Sequence, residues 1–96
     1  MSNLQAPPFV AAYDLSDDRE RRRVATLLEG YGFRVQFSVF ECRLTRANRQ
    51  RLTRQIESLG LRSGHVRLYR LYDAARHEVI GSPQRPSADQ CHAFCV

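Results

Sequence analysis

The stretch that decides the fold is Phe9-Val10-Ala11-Ala12-Tyr13-Asp14-Leu15-Ser16, close to the start of the sequence. Its first five residues are apolar at every position, which is typical of a central strand covered by helices. The next three are predicted to leave that strand. A helix is expected to begin near Ser16 or Asp17, because Asp17 and Glu20 have the spacing of a capping box. A carboxylate, Asp14, therefore lies between a buried strand and a helix.

Outward from this stretch, the hydrophobic pattern changes from helical to extended. The first helix carries one apolar stripe, ended by two glycines, and the stripe consists of Val24, Leu27, Leu28 and Tyr31. Residues 33–45 then alternate between apolar and polar side chains, as a β-strand does. Because this segment is long for one strand, we expect a bend or bulge near Ser38 that divides it into two pairing pieces.

The second half of the sequence alternates helix and strand again. Residues 46–59 are predicted to form a second helix, with Thr45 as its N-cap. Residues 65–72 are rich in valine, leucine and tyrosine and are predicted to form another strand. A short final strand is expected at residues 78–81.

The predicted order is β-α-β-β-α-β with one short strand appended. This order fits an α+β, ferredoxin-like sandwich, in which an antiparallel sheet carries both helices on one face. The domain is expected at residues 9–81, after a flexible leader at residues 1–8 and before a C-terminal tail at residues 82–96. The other face of the sheet would still carry apolar groups, so we expect a second copy of the chain to cover it in a homodimer.

The charge of the chain indicates an anionic partner. All 15 of its basic residues are arginine, and its formal net charge is +5. The planar guanidinium group matches phosphate oxygens in pairs, so nucleic acid is the first candidate. A GC-rich genome would also favour arginine over lysine without any functional reason.

The sequence lacks the features of membrane and secreted proteins. Its longest apolar run, residues 9–13, is too short to cross a bilayer, and no signal-peptide pattern is present, so a cytoplasmic location is expected. Cys91-His92-x-x-Cys95 offers only three zinc ligands near a terminus, and incidental thiols are the favoured interpretation. The three histidines lie in separate segments and are interpreted as surface or structural residues.

Asp14 is the strongest candidate for catalysis. A carboxylate at a strand end is a hard oxygen ligand that suits Mg²⁺ or Mn²⁺, although most aspartates in such positions cap a turn or a helix. One carboxylate alone makes a poor metal site. In a two-fold symmetric dimer a residue near the axis meets its own mate, so Asp14 of both protomers would share one ion. Such an ion would act on a phosphodiester.

Arginines crowd the first helix and extend into the β region after it. They are Arg19, Arg21, Arg22 and Arg23 in the helix and Arg34 beyond it. As phosphate clamps they would position a nucleic-acid backbone without reading its bases. A solvated helix face would have the same geometry, so both interpretations stay open.

The same residues resemble those of a known family. The tyrosine–aspartate strand end with its arginine-bearing helix, followed by Gln36-x-Ser38-Val39-Phe40-Glu41, is similar to the CRISPR-associated endoribonuclease family. Members of this family are the smaller, second core protein of CRISPR adaptation. The resemblance extends over residues 9–81, most of the chain.

The resemblance implies more than the residues do by themselves. It implies a ferredoxin-like homodimer whose C-terminal segment packs on the partner, and a metal-dependent nuclease activity centred on Asp14. It also implies a role beside the CRISPR integrase, where the dimer holds the incoming DNA duplex. By position, the residues implied in activity or substrate contact are Tyr13, Arg21, Arg23, Arg34 and Phe40.

Three functions therefore stand as hypotheses. The first is a CRISPR adaptation protein with magnesium-dependent endonuclease capacity towards RNA, double-stranded DNA or both. The second is a structural DNA clamp in the same complex, in which cleavage is weak or dispensable. The third is a toxin-like ribonuclease or a plain interaction domain of the same fold.

Overall fold

The computed structural model describes residues 6–72 and 78–81. These residues form six elements, which follow one another in the predicted order. The elements are β1 (Pro8–Leu15), α1 (Asp18–Glu29), β2 (Gly32–Gln36), β3 (Val39–Arg43), α2 (Arg46–Ser58) and β4 (Gly64–Arg70).

The four strands form one antiparallel sheet in the order β2-β3-β1-β4. In this order α1 connects two strands that flank β3, and α2 connects two strands that flank β1. Each connection is therefore a split βαβ unit, and the usual right-handed crossover places both helices on the same face of the sheet. The predicted ferredoxin-like α+β sandwich is confirmed.

The core lies between the helices and one face of the sheet. Along β1 every second residue is buried, from Phe9 through Ala11 and Tyr13 to Leu15. These side chains pack with Phe40 and with the buried residues of the two helices, which are Val24, Ala25, Leu28 and Leu52. The residues between them on β1 are only partly buried or exposed. Although residues 9–13 are apolar at every position, helices cover only one face of β1, because both crossovers lie on the same side of the sheet, as the predicted sandwich requires.

Both predicted N-caps are confirmed. The Asp17 carboxylate accepts a hydrogen bond from the Glu20 N–H at 2.9 Å, and the Thr45 hydroxyl accepts one from the Asn48 N–H at 3.1 Å. These bonds satisfy N–H groups that the first turn of a helix leaves without partners. The capping box is not completed, however, because the Glu20 carboxylate binds the loop before β4 instead. β1 also continues through Asp14 and Leu15, which were expected to lie outside it.

The predicted division of residues 33–45 is confirmed as a tight hairpin. β2 and β3 are joined at Phe37 and Ser38, and Ser38 has a positive φ of 66°. The Ser38 carbonyl accepts a hydrogen bond from the Tyr13 N–H at 3.0 Å. This bond ties the hairpin to β1 next to Asp14.

The two ends of the domain differ from expectation. Pro8 begins β1, and the carbonyl oxygens of Pro7 and Pro8 accept hydrogen bonds from the N–H groups of Leu44 and Leu71. Proline lacks only the donor, so its acceptor can still join a sheet edge. Residues 78–81 were expected to form a strand, and they have no regular secondary structure, since no strand among the described residues pairs with them. Residues 1–5, most of the expected leader, and the tail at residues 82–96 lie outside the described residues.

Candidate nucleic-acid and metal site

Asp14 lies on the face of the sheet that the helices leave uncovered. It is the second-last residue of β1, its side chain is exposed, and it pairs with His65 of β4. The neighbouring pair is Leu15 with Gly64. A Cβ at Gly64 would overlap the carbonyl oxygen of Asp14, so only glycine lets β4 approach β1 this closely.

Tyr13 points to the opposite face, because successive side chains of a strand alternate. It is almost fully buried, and its ring lies 6.4 Å from the ring of Phe40. The sheet therefore separates the two residues at the centre of the predicted site. Asp14 faces the uncovered side and Tyr13 faces the helices.

A cleft of about 120 Å³ on the helix side brings together several of the predicted residues. It lies where α1 approaches the β2–β3 hairpin. Its lining consists of Tyr13, Asp18, Arg21, Arg22, Ala25, Arg34 and Phe37. Arginine side chains from both a helix and a strand thus meet at one end of the sheet.

Arg34 is held in this cleft by an aromatic ring. Its guanidinium carbon lies 5.0 Å from the centre of the Phe40 ring, within the range of a cation–π contact. Its Nε atom is buried and has no hydrogen-bond partner among the described residues. Phe40 has no exposed surface, and it therefore contacts Arg34 and Tyr13 within the protein rather than facing solvent.

Arg21 binds within the protein. Its Nη1 donates to the carbonyl oxygen of Leu15 at 2.7 Å, and its Nη2 forms an ion pair with Asp18. The guanidinium thus ties the end of β1 to the first turn of α1. Arg19, Arg22 and Arg23 are exposed on the same helix. The predicted arginines therefore divide into a structural link and a solvent-facing basic surface.

Glu20 fixes the loop that leads into β4. Its carboxylate accepts hydrogen bonds from the Arg62 N–H at 2.8 Å and the Ser63 N–H at 2.9 Å, and from the Ser63 hydroxyl. The Ser63 hydroxyl bond, followed by the two backbone bonds, lowers the pKa of Glu20 below its ordinary value. This carboxylate thereby positions the start of β4, where His65 lies across from Asp14.

Two residues near Asp14 were not selected from the sequence as parts of the site. His65 and Arg67 share the uncovered face with Asp14. The pKa of Arg67 is raised, chiefly by Tyr69, whose hydroxyl accepts its hydrogen bond, and to a smaller extent by Asp14. The alternating pattern of β4 was visible in the sequence. The register that puts His65 opposite Asp14 was not.

Asp14 fits half of a site for a divalent cation. Mg²⁺ is commonly held by one or two carboxylates, with water and substrate phosphates as its remaining ligands. Among residues 6–72 and 78–81 no group of three or more His, Cys, Asp and Glu side chains surrounds a common point. Cys42 is no candidate, because burial and the nearby Glu41 raise the pKa of its thiol to about 11. The Cys91–Cys95 segment lies outside the described residues.

No helix in the described part of the chain is long and apolar enough to cross a membrane.

Comparison with known proteins places these features in a family. Residues 8–79 match the family model of the CRISPR associated protein Cas2. A relative from Chloroflexus aurantiacus, named CRISPR-associated endoribonuclease Cas2 1, is 41% identical over 88 residues, which cover 85% of this chain and 92% of that protein. A relative from Synechocystis, named CRISPR-associated endoribonuclease Cas2 3, is 49% identical over 51 residues. That match spans 53% of this chain and only 55% of the relative.

Two solved structures share the fold. A hypothetical protein from Thermus thermophilus superimposes with a TM-score of 0.71 at 37% identity, over 84% of this chain and 98% of that one. A chain in a partial Cas6-RT-Cas1–Cas2 complex superimposes with a TM-score of 0.59 at 28% identity, over 77% of this chain and 89% of that one. With the family model matching three quarters of its length, the chain belongs to the CRISPR associated protein Cas2 family.

Proposed function

We propose that this protein serves CRISPR adaptation, the acquisition of spacers, as a nucleic-acid-binding homodimer that partners the CRISPR integrase. We further propose that it has metal-dependent endonuclease capacity. Relatives named endoribonuclease and the likeness to a chain in a complex that contains Cas1 support this function. The observation that carries it is an exposed carboxylate, Asp14, at the end of the sheet where the arginines of α1 and β2 also lie.

The proposed roles are phosphate binding on the helix side of the sheet and metal binding on its uncovered side. On the helix side, Arg19, Arg22 and Arg23 would hold the phosphates of RNA or double-stranded DNA, with Arg34 beside them in the cleft. Tyr13 and Phe40 would keep Arg34 in position. On the uncovered side, Asp14 would hold Mg²⁺ or Mn²⁺.

In hydrolysis, water attacks the phosphorus atom and the bond to the leaving oxygen breaks. A divalent cation at Asp14 would supply charge stabilisation for the phosphorane-like transition state. Arg67, on the same face, would add a positive charge close to the phosphate. Asp14 itself would position the cation.

A homodimer would make the site complete. The uncovered face also carries exposed apolar side chains near the level of Val10 on β1, among them Phe33 at 61% and Tyr69 at 49% relative exposure. Contact of two such faces would hide these groups and would bring two copies of Asp14 towards a two-fold axis. Two carboxylates, one from each protomer, then share the ion.

The nuclease proposal is tested with Asp14→Ala. Purified protein is incubated with RNA and with duplex DNA, with and without Mg²⁺, and the products are resolved on gels. We expect cleavage that requires the metal and falls by at least about 100-fold in the variant, because one lost transition-state interaction has effects of that size. Arg54→Ala, an exposed change on α2, serves as the matched control. Equal cleavage by wild type and Asp14→Ala would contradict the assignment.

A structural DNA clamp in the same complex is the second candidate. It is favoured by the charges of the described residues, which offer one candidate metal-binding carboxylate against three exposed arginines on α1. In a clamp, Asp14→Ala leaves spacer acquisition in cells intact. Reversal of Arg19, Arg22 and Arg23 to glutamate abolishes both acquisition and duplex binding. A binder of this kind also loses affinity steeply as salt rises, through release of counterions. Absence of binding at low salt would instead favour a plain interaction domain.

A further inference from the structure

His65 and Asp14 are brought together by the register of the sheet. His65 is the second residue of β4 and the cross-strand partner of Asp14 on β1. Directly opposed residues of antiparallel strands project from the same face, with Cβ atoms about 4.5–5.5 Å apart. Both side chains are exposed. The uncovered face therefore presents a carboxylate and an imidazole at a spacing that one cation can bridge.

The backbone under this pair is fixed from three sides. Gly64 lets β4 lie close against the Asp14 carbonyl group. The Ser16 N–H donates to the Ser63 carbonyl oxygen at 3.3 Å, just beyond the pair. The Glu20 carboxylate holds the Ser63 N–H from α1. A pair supported in this way is preorganised, which is what a metal site needs from its surroundings.

Arg67 is the charged neighbour that could compete for Asp14. It lies two residues beyond His65 on β4, and its Nη1 donates to the Tyr69 hydroxyl at 3.3 Å. The main partner of Arg67 is Tyr69. The residue directly across from Asp14 is His65. Removal of Arg67 therefore provides a control on the same face that leaves both donor groups in place.

We propose that His65 is the second protein ligand of the divalent cation held by Asp14. This inference rests on the metal-dependent part of the proposed function. Imidazole nitrogen favours transition-metal ions, whereas Mg²⁺ prefers oxygen ligands. A pair of one oxygen and one nitrogen donor therefore selects Mn²⁺ over Mg²⁺. In the homodimer the two pairs would give four protein donors.

The test measures metal binding by the full chain without nucleic acid, at one neutral pH. Mn²⁺ and Mg²⁺ are titrated by calorimetry into wild type, His65→Ala, His65→Gln, Asp14→Ala and Arg67→Ala. Pulsed electron paramagnetic resonance of bound Mn²⁺ then reports a directly coordinated nitrogen. Circular dichroism confirms that each variant is folded, and His65→Gln keeps a side chain of similar size on the exposed strand.

We expect nitrogen coupling in wild type and Arg67→Ala, and none in the His65 variants. Mn²⁺ affinity should fall by at least about tenfold in the His65 variants, because losing even an outer partner of a metal ligand has effects of that size. Mg²⁺ affinity should change less. Mn²⁺ binding that depends on Asp14 but shows no nitrogen coupling, or coupling that persists in both His65 variants, would overturn the role of His65 and leave the proposed nuclease intact. Wild-type protein that binds no Mn²⁺ would overturn both.

Discussion

At the scale of single residues, Gly64 has the strictest environment near the candidate site. A Cβ there would overlap the Asp14 carbonyl oxygen and come within 3.2 Å of the Leu15 Cα atom. Both neighbours are backbone of β1, which is paired with β4 at this point and tied to the β2–β3 hairpin by the adjacent Tyr13–Ser38 bond. Glycine at this position is therefore a condition for the approach of β4 to β1.

Replacement of Gly64 by alanine should destabilise the protein. We expect the free energy of unfolding to fall by about 1–3 kcal/mol, as it does for overpacking elsewhere in protein interiors. Urea denaturation followed by circular dichroism measures the change. Gly30→Ala is the matched control, because Gly30 has a φ of −76° and an added Cβ would meet only the Leu27 oxygen, at 3.4 Å. Equal stability of wild type and Gly64→Ala would show that β4 can shift without loss.

At the scale of elements, the first turn of α1 connects three parts of the fold. Asp17 caps the helix, Arg21 binds the end of β1, and Glu20 binds the loop before β4. The helix that carries the basic surface is thereby attached to both strands of the Asp14–His65 pair. A change in one of these bonds should affect the stability of the whole end of the sheet.

The Glu20 network predicts a dependence of stability on pH. Because hydrogen bonds from Ser63 and Arg62 lower the pKa of Glu20, its contribution is complete above the ordinary carboxyl value of 4.5 and is lost as pH falls through the lower folded value. Glu20→Gln should therefore unfold at lower urea than wild type near neutral pH. The difference between the two proteins should shrink as the solution is acidified below pH 4.5.

Glu57→Gln controls for the loss of a carboxylate, since Glu57 is exposed on α2 away from this loop. Its difference from wild type should stay small at every pH. A constant gap between wild type and Glu20→Gln across the acid range would show that the ionised carboxylate does not hold the loop.

At the scale of the whole molecule, large apolar side chains remain in water. Val79 and Ile80 are 61% and 92% exposed, and Phe33 and Tyr69 are exposed on the uncovered face of the sheet. Small domains bury a limited share of their surface alone and often gain stability by association. These groups give a physical basis for the proposed homodimer.

The double substitution Val79→Ser with Ile80→Ser should weaken that dimer. We expect wild type to sediment as a dimer in analytical ultracentrifugation, and the variant to shift towards monomer at micromolar concentration because it loses two large apolar contacts. Arg54→Ala on α2 should sediment as wild type does. A wild-type protein that remains monomeric at high concentration would contradict the dimer and the shared ion together.

The order of elements and the local signals could be read from the sequence with few errors. Alternating and helical periodicities predicted each element, Thr45 and Asp17 predicted the helix starts, and Ser38 predicted the hairpin. These signals are local, since each depends on residues within a turn or a strand pair. The prediction of a strand at residues 78–81 was wrong, because a strand needs a partner and no other strand in the described part of the chain supplies one.

The sequence by itself thus determined the ferredoxin-like sandwich and the basic helix, and it singled out Asp14 as the candidate metal ligand. Only the tertiary structure decided that Tyr13 and Asp14 lie on opposite faces, that Phe40 is buried beneath Arg34, and that His65 lies across from Asp14. Periodicity shows which residues share a face of one strand. Periodicity does not determine the register between strands that are about 50 residues apart. That register is set by the packing of the whole sheet against its helices.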